Sequence, residues 1–202
     1  VKSSDLVYLH FSGHGTQQPS MNPSIEPDGL DEIFLPRDTG MWTDRTKGVP
    51  NALVDKELRD HLQAIRDKGA FIWAVFDCCH SGTMTRAATM VDNDVTDRKV
   101  DFTDLGISEA DMAEAIAESG SASRGLGGSE PRKSSLSIAP TGAESISEGG
   151  MVAFFAAQTV ETTPEMPLPA GAENATKLGL FTYTVFSKIA ENPAMTYRQL
   201  GQ

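Results

Sequence analysis

Ala70-Phe71-Ile72-Trp73-Ala74-Val75-Phe76-Asp77-Cys78-Cys79-His80-Ser81-Gly82 is the stretch on which the reading of this chain turns. Residues 70–76 are apolar without a break. A run of this length without polar alternation suits a central strand covered on both faces. It stops abruptly at a polar turn that carries both cysteines of the chain.

Upstream, Val54 to Lys68 reads as a helix. Leu53, Leu58, Leu62 and Ile65 share one face, Asp55 or Asn51 is placed to cap its start, and Gly69 ends it. Further upstream, Asp5 to Phe11 is another short apolar run rich in strand formers, closed by the glycine-flanked turn Ser12-Gly13-His14-Gly15. Residues 16–50 read mainly as loop, with a small strand at Ile33 to Leu35. Downstream, Ser108 to Glu118 reads as a short helix capped by Ser108. Met151 to Ala157 is a third buried strand, and Thr176 to Glu191 a helix that Gly179 weakens. The Ser- and Gly-rich stretch 119–150 has little to bury and reads as a flexible linker.

Strand, loop, helix, strand, excursion, strand, helix is the order of an α/β domain with a mostly parallel central sheet and helices on its faces. At 202 residues the chain suffices for one such domain, 1–202. It begins at Val1, already close to a strand, and is expected to be N-terminally incomplete. A net charge of −11 repels phosphate backbones, so nucleic acid is not an expected partner. The same acidity suits basic peptides, or serves solubility alone. No apolar run is long enough for a membrane span. Two adjacent cysteines rarely form a disulfide and are too few for a zinc cage. A chain without a disulfide framework fits a reducing, cytoplasmic location.

In open α/β sheets the chemistry lies at the carboxyl ends of the strands, where both polar turns are expected. If the two strands are parallel neighbours, His14 and Cys79 come within reach of each other. A thiolate attacks carbonyl carbon well, but a free thiol is mostly protonated at neutral pH. One histidine can take the thiol proton and return it to a leaving amine. Backbone N–H groups in glycine turns can hold the negative oxygen. Taken singly, the histidine turn also fits a structural role, and the cysteines fit packing.

Together the motifs are recognisable. His10-Phe11-Ser12-Gly13-His14-Gly15-Thr16-Gln17 resembles the histidine motif of metacaspases and their bacterial relatives, and Asp77-Cys78-Cys79-His80-Ser81-Gly82-Thr83 their cysteine motif. Asp28 to Glu32, Pro36-Arg37-Asp38, Met151 to Glu161 and Gly179 to Tyr183 resemble further segments of that family. The resemblance implies a caspase-like three-layer sandwich. It implies Cys79 as nucleophile, His14 as general acid–base, and the N–H groups of Gly15 and Cys79 as oxyanion hole. His80 is expected to point away, and His10 and His61 to be ordinary strand and helix residues. It further implies cleavage after arginine or lysine, with Asp77 and Ser12 binding the basic side chain. Asp77 as a simple turn cap is the plainer alternative.

Many metacaspases need calcium. Asp31 and Asp55 match two family ligand positions, but Lys56 and Arg86 stand where carboxylates are usual, so no metal or other cofactor is expected to be required. Arg124, Arg132 and Lys133 in the linker are candidate self-cleavage points for an enzyme of this specificity. Protein or peptide substrates with basic residues are the expected partners; the sequence is silent on oligomeric state. The competing reading is an inactive caspase-like scaffold that binds a partner through its acidic face. A thiol–disulfide or metal protein built on the Cys pair lacks the C-x-x-C spacing and further ligands.

Overall fold

The computed structural model of the chain describes residues 1–22, 26, 28–79, 94–123, 148–157 and 162–202, with the backbone alone over 120–123. The strands are β1 (Leu6–Ser12), β2 (His14–Pro19), β3 (Leu30–Leu35), β4 (Leu53–Val54), β5 (Phe71–Asp77), β6 (Thr96–Asp97), β7 (Met151–Phe155), β8 (Pro164–Leu168) and β9 (Thr176–Gly179). The helices are α1 (Asp55–Arg66), α2 (Glu109–Ser123), α3 (Leu180–Glu191) and α4 (Tyr197–Leu200), with a 3₁₀ turn at Phe102–Leu105.

The central sheet is parallel, in the order β1-β5-β7. Its side chains alternate between two covered faces, as the pleat requires. Ile72, Ala74 and Phe76 of β5, with Val7, Leu9 and Phe11 of β1, pack under Leu58, Leu62 and Ile65 of α1. Tyr8 and Trp73 turn the other way. Tyr8 meets Phe186 of α3 edge-on at 6.3 Å, and Trp73 meets Tyr197 of α4 at 5.6 Å. Helices therefore cover both faces, and the three-layer arrangement expected from the sequence is present.

Two antiparallel sheets flank this core. The first, β2-β3-β4, packs Leu30, Ile33 and Val54 against Met112 and Ala115 of α2. The second is β6-β8-β9.

Several expectations need correction. His14 does not sit in a free turn: it opens β2, pairing with Leu35 of β3. Residues 16–50 are thus partly strand, since Thr16 to Pro19 alternate poorly yet are held by the ladder to β3. Residues 176–179 are strand rather than the first turn of a helix, because β8 offers Thr176 and Leu178 a ladder and α3 starts only at Leu180. Neither Asp55 nor Asn51 caps α1. Val54 occupies the cap position, and its N–H donates to Glu57 Oε2 at 3.4 Å. Asn51 instead takes a positive φ of 60° and donates to the Asp38 carbonyl. Ser108 does cap α2: its Oγ accepts from Asp111 N–H at 3.1 Å, while Asp111 Oδ2 accepts from Ser108 N–H at 3.2 Å. That helix runs on to Ser123, into the stretch read as linker from 119.

Candidate active site

Parallel pairing puts Ser12 beside Asp77 at the carboxyl ends of β1 and β5. His14 and Cys79 each follow two residues later, so the ladder alone carries them to one end of the sheet. The turns touch through their backbones. Gly13 N–H donates to the Asp77 carbonyl at 3.1 Å. A Cβ on Gly15 would lie 2.2 Å from the Cys79 carbonyl oxygen. Only glycine lets the chain next to His14 pass so close to Cys79.

Cys79 is fully buried and its thiol is held by Thr163. The sulfur accepts from Thr163 N–H at 2.8 Å, lies 2.9 Å from Thr163 Oγ1, and its S–H points at the Thr163 carbonyl at 3.8 Å. Burial pushes the thiol up from its ordinary value and Asp97 adds to this, while the Thr163 contacts oppose it. His14 Nδ1 is buried with no hydrogen-bond partner among the described residues. His14 and Cys79 stand at the same end of the sheet, with the thiol turned to Thr163. Cys78 points into the core beside Phe76 and Leu62, where burial pushes its thiol far up.

The N–H groups of Gly15 and Cys79 converge on one oxygen. Both donate to the Arg98 carbonyl, each at 3.4 Å. Arg98 itself is almost fully buried. Its Nη1 bonds Ser12 Oγ and the Asp77 carbonyl, the latter at 3.0 Å, and lies 3.5 Å from Asp77 Oδ2. Its Nε lies 3.4 Å from Glu165 Oε2. Asp77 is fixed in turn: its Oδ2 accepts from Thr182 N–H at 2.9 Å, in the first turn of α3, where the helix dipole favours a carboxylate. Gly179 makes room for the whole arrangement. A Cβ there would fall 2.1 Å from Asp77 Oδ2 and 2.5 Å from the Arg98 guanidinium carbon.

Asp77 thus accepts from the first turn of α3 as a cap does, and its carboxylate and Ser12 also face a guanidinium together. Thr163, Glu165, Gly179 and Thr182 also build the site and were not found from the sequence. His10 is a strand residue of β1, as expected. Its Nε2 lies 3.1 Å from Thr182 Oγ1, behind Asp77, and burial lowers its pKa, with Asp77 opposing and Arg98 adding. His61 is exposed on α1. His80, Arg86, Arg124, Arg132 and Lys133 lie outside the described residues.

Of the two candidate calcium ligands, Asp31 is already paired with a cation. Asp31 is buried, but its Oδ1 holds Lys56 Nζ at 2.5 Å. The same ammonium lies 3.0 Å from Glu26 Oε1 and 3.3 Å from Ser20 Oγ. A fixed positive charge already stands among the carboxylates, where a divalent cation would have to enter against it. Among the described residues no three His, Cys, Asp or Glu side chains gather to hold a metal.

Residues 1–88 match the family described as metacaspase, peptidase C14 domain. Metacaspase-2 of Arabidopsis thaliana is 40% identical over 83 residues, 41% of this chain and 18% of its own length. Metacaspase-1 of Saccharomyces cerevisiae (strain S288c) is 35% identical over 84 residues, 42% of this chain and 17% of its own. Metacaspase-6 of Arabidopsis thaliana is 29% identical over 123 residues, 61% and 30% respectively. The chain thus spans less than a third of the length of these relatives. The solved structure of protein GSU0716 from Geobacter sulfurreducens covers 99% of this chain and 60% of its own, with a TM-score of 0.52 and 21% identity, a likeness of fold. With His14 and Cys79 brought to one sheet end, the chain is similar over residues 1–88 to the metacaspase peptidase domain, on a parallel-sheet α/β fold like that of the caspases.

Proposed function

We propose that the chain is a cysteine endopeptidase that hydrolyses bonds after arginine or lysine. One observation carries this reading: a carbonyl oxygen rests between the N–H groups of Gly15 and Cys79 while the arginine that owns it reaches Ser12 and Asp77. The same cradle accepts a substrate carbonyl, and the same carboxylate its basic side chain.

In the reaction, His14 takes the thiol proton as Cys79 Sγ turns from Thr163 and attacks the carbonyl carbon. The oxygen becomes negative where the two N–H groups point, which lowers the barrier without reorganisation. The peptide C–N bond breaks and His14 returns its proton to the leaving amine. Water, deprotonated by His14, then releases the acyl group from sulfur and restores the thiol. Asp77 and the charge-assisted bonds around it contribute about 1.5–3 kcal/mol to holding the basic residue.

Calcium is not required in this reading. The Lys56 ammonium supplies the positive charge that balances Asp31 and Glu26. Self-cleavage at Arg124, Arg132 or Lys133 extends the same specificity to the linker. No helix among the described residues is long and apolar enough to cross a membrane; a cytoplasmic setting remains the reading of the cysteine usage.

The test is a fluorogenic peptide panel with Arg, Lys or Asp before the cut bond, with and without calcium. Turnover is expected after Arg and Lys in both conditions and is lost in Cys79→Ala. Cleavage after Asp, or turnover that survives Cys79→Ala, would sink the reading.

A further inference from the structure

Arg98 does more than mark the pocket. The segment on either side of it is laid out as a bound peptide is. Thr96 and Asp97 pair antiparallel with Glu165 and Pro164, so the segment adds a strand to the edge of β8. Arg98 N–H donates to the Thr163 carbonyl at 2.9 Å. On the other side, Lys99 bridges to Gly15, and Val100 N–H donates to the Gly15 carbonyl at 3.3 Å. The backbone is clamped between β2 and β8, the guanidinium lies on Asp77, Ser12 and Glu165, and the carbonyl lies between two convergent N–H groups. A structural arginine needs its ion pair; it has no need of its carbonyl in that cradle as well.

We propose that residues 96–99 are the chain's own substrate segment, that the Arg98–Lys99 peptide bond is its cleavage site, and that the segment closes the cleft to other peptides until it is cut. The proposal rests on the peptidase reading. The cut is ordinary hydrolysis: the Cys79 proton passes to His14, sulfur bonds the Arg98 carbonyl carbon, and the bond to the Lys99 nitrogen breaks. That nitrogen takes the proton from His14, and water then frees an Arg98 carboxylate and the Cys79 thiol. In the uncut chain the sulfur is bonded to Thr163, so the segment both occupies the site and waits in it.

Two measurements test it. Incubated chains are read for new amino termini by mass spectrometry. Binding of a peptide amide carrying one arginine is measured by calorimetry in a Cys79→Ala background, with and without Arg98→Ala. A terminus at Lys99 is expected from the native chain and is absent from Cys79→Ala and Arg98→Ala. The arginine peptide is expected to bind at least about tenfold tighter once Arg98 is gone, since its competitor is covalently tethered at high effective concentration. Arg98→Lys keeps the block, and Arg98→Gln replaces the alanine variant should that fail to fold. Turnover of arginine peptides with the Arg98–Lys99 bond intact, or equal binding with and without Arg98, overturns the proposal. Tighter binding with no turnover by any variant overturns the peptidase reading and leaves the occupant in place.

Discussion

Ser12 and Asp77 are partners in the parallel β1–β5 ladder, and from that pair both the seat of the Arg98 guanidinium and the placing of His14 and Cys79 follow. Their side chains share the sheet face turned toward α3, away from α1. Two residues further on, the chain reaches His14 on one side and Cys79 on the other. A one-residue slip of the ladder would turn Ser12 or Asp77 to the opposite face and dismantle the pocket at a stroke.

Asp77→Asn keeps the shape of the site and removes its charge. Thr182 N–H still finds an oxygen, so the fold is expected to stand. Loss of a charge-assisted contact of about 1.5–3 kcal/mol corresponds to a rise in KM for arginine and lysine peptides of roughly 10- to 150-fold. Steady-state kinetics with paired basic and neutral peptides check this. A uniform fall in kcat with KM unchanged would place Asp77 in the scaffold and not in the pocket.

Gly179→Ala tests the pocket from its other wall. The added methyl would sit 2.1 Å from Asp77 Oδ2, far inside van der Waals contact. Gly179 has an ordinary extended φ of −65°, so backbone strain is not the issue. The carboxylate must shift, and with it the guanidinium site. Arginine-peptide turnover is expected to fall at least about tenfold, with a far smaller effect on the reaction of Cys79 with a small neutral alkylating agent, since misplacement by an ångström costs on that order or more.

The sheet tips were legible in the sequence because their strands announce themselves. Residues 70–76 and 5–11 are apolar runs that end sharply, and the chemistry follows directly after each. The walls were not legible. Thr163 and Glu165 sit next to Pro164 in a stretch with no period, and Arg98 stands between two charged neighbours, which reads as a solvated surface. Each acquires meaning only when β8 comes to lie alongside the segment at 96–97. Gly179 did leave a trace, as a glycine that weakened the helix read over 176–191. The trace was real, since the helix begins one residue later and the glycine is there to clear Asp77.

Lys56 is expected to be a stability residue that substitutes for a bound cation. Removing its charge by Lys56→Met leaves buried Asp31 and Glu26 without their counter-ion, a loss of roughly 3–5 kcal/mol. Burial already raises the Glu26 pKa, and the Lys56 bond is what opposes it. Lys56→Glu goes further and gathers three carboxylates on neighbouring elements. Thermal melts with and without calcium distinguish the cases: the native chain is expected to be indifferent to calcium, and Lys56→Glu to gain in Tm on adding it. A native chain stabilised by calcium would show the ammonium is not the resident charge.

The last expectation concerns pH. The Cys79 thiol is raised chiefly by burial, with Asp97 adding to it and Thr163 opposing. A raised thiol pKa means less thiolate at neutral pH than an ordinary cysteine carries, so the uncut chain reacts slowly and the rate climbs as pH rises. Alkylation by iodoacetamide in a Cys78→Ala background isolates this sulfur, and its midpoint is expected above the value of about 8.5 of a free thiol. Asp97 lies in the segment that fills the cleft, so its departure removes one of the groups that disfavour the thiolate and opens the sulfur to water and to His14. The midpoint is therefore expected to move down in chain already cut after Arg98, and alkylation at neutral pH to quicken. A midpoint at or below the free-thiol value in the uncut chain would mean that Cys79 is already charged at rest, and that Thr163 holds a thiolate ready to attack.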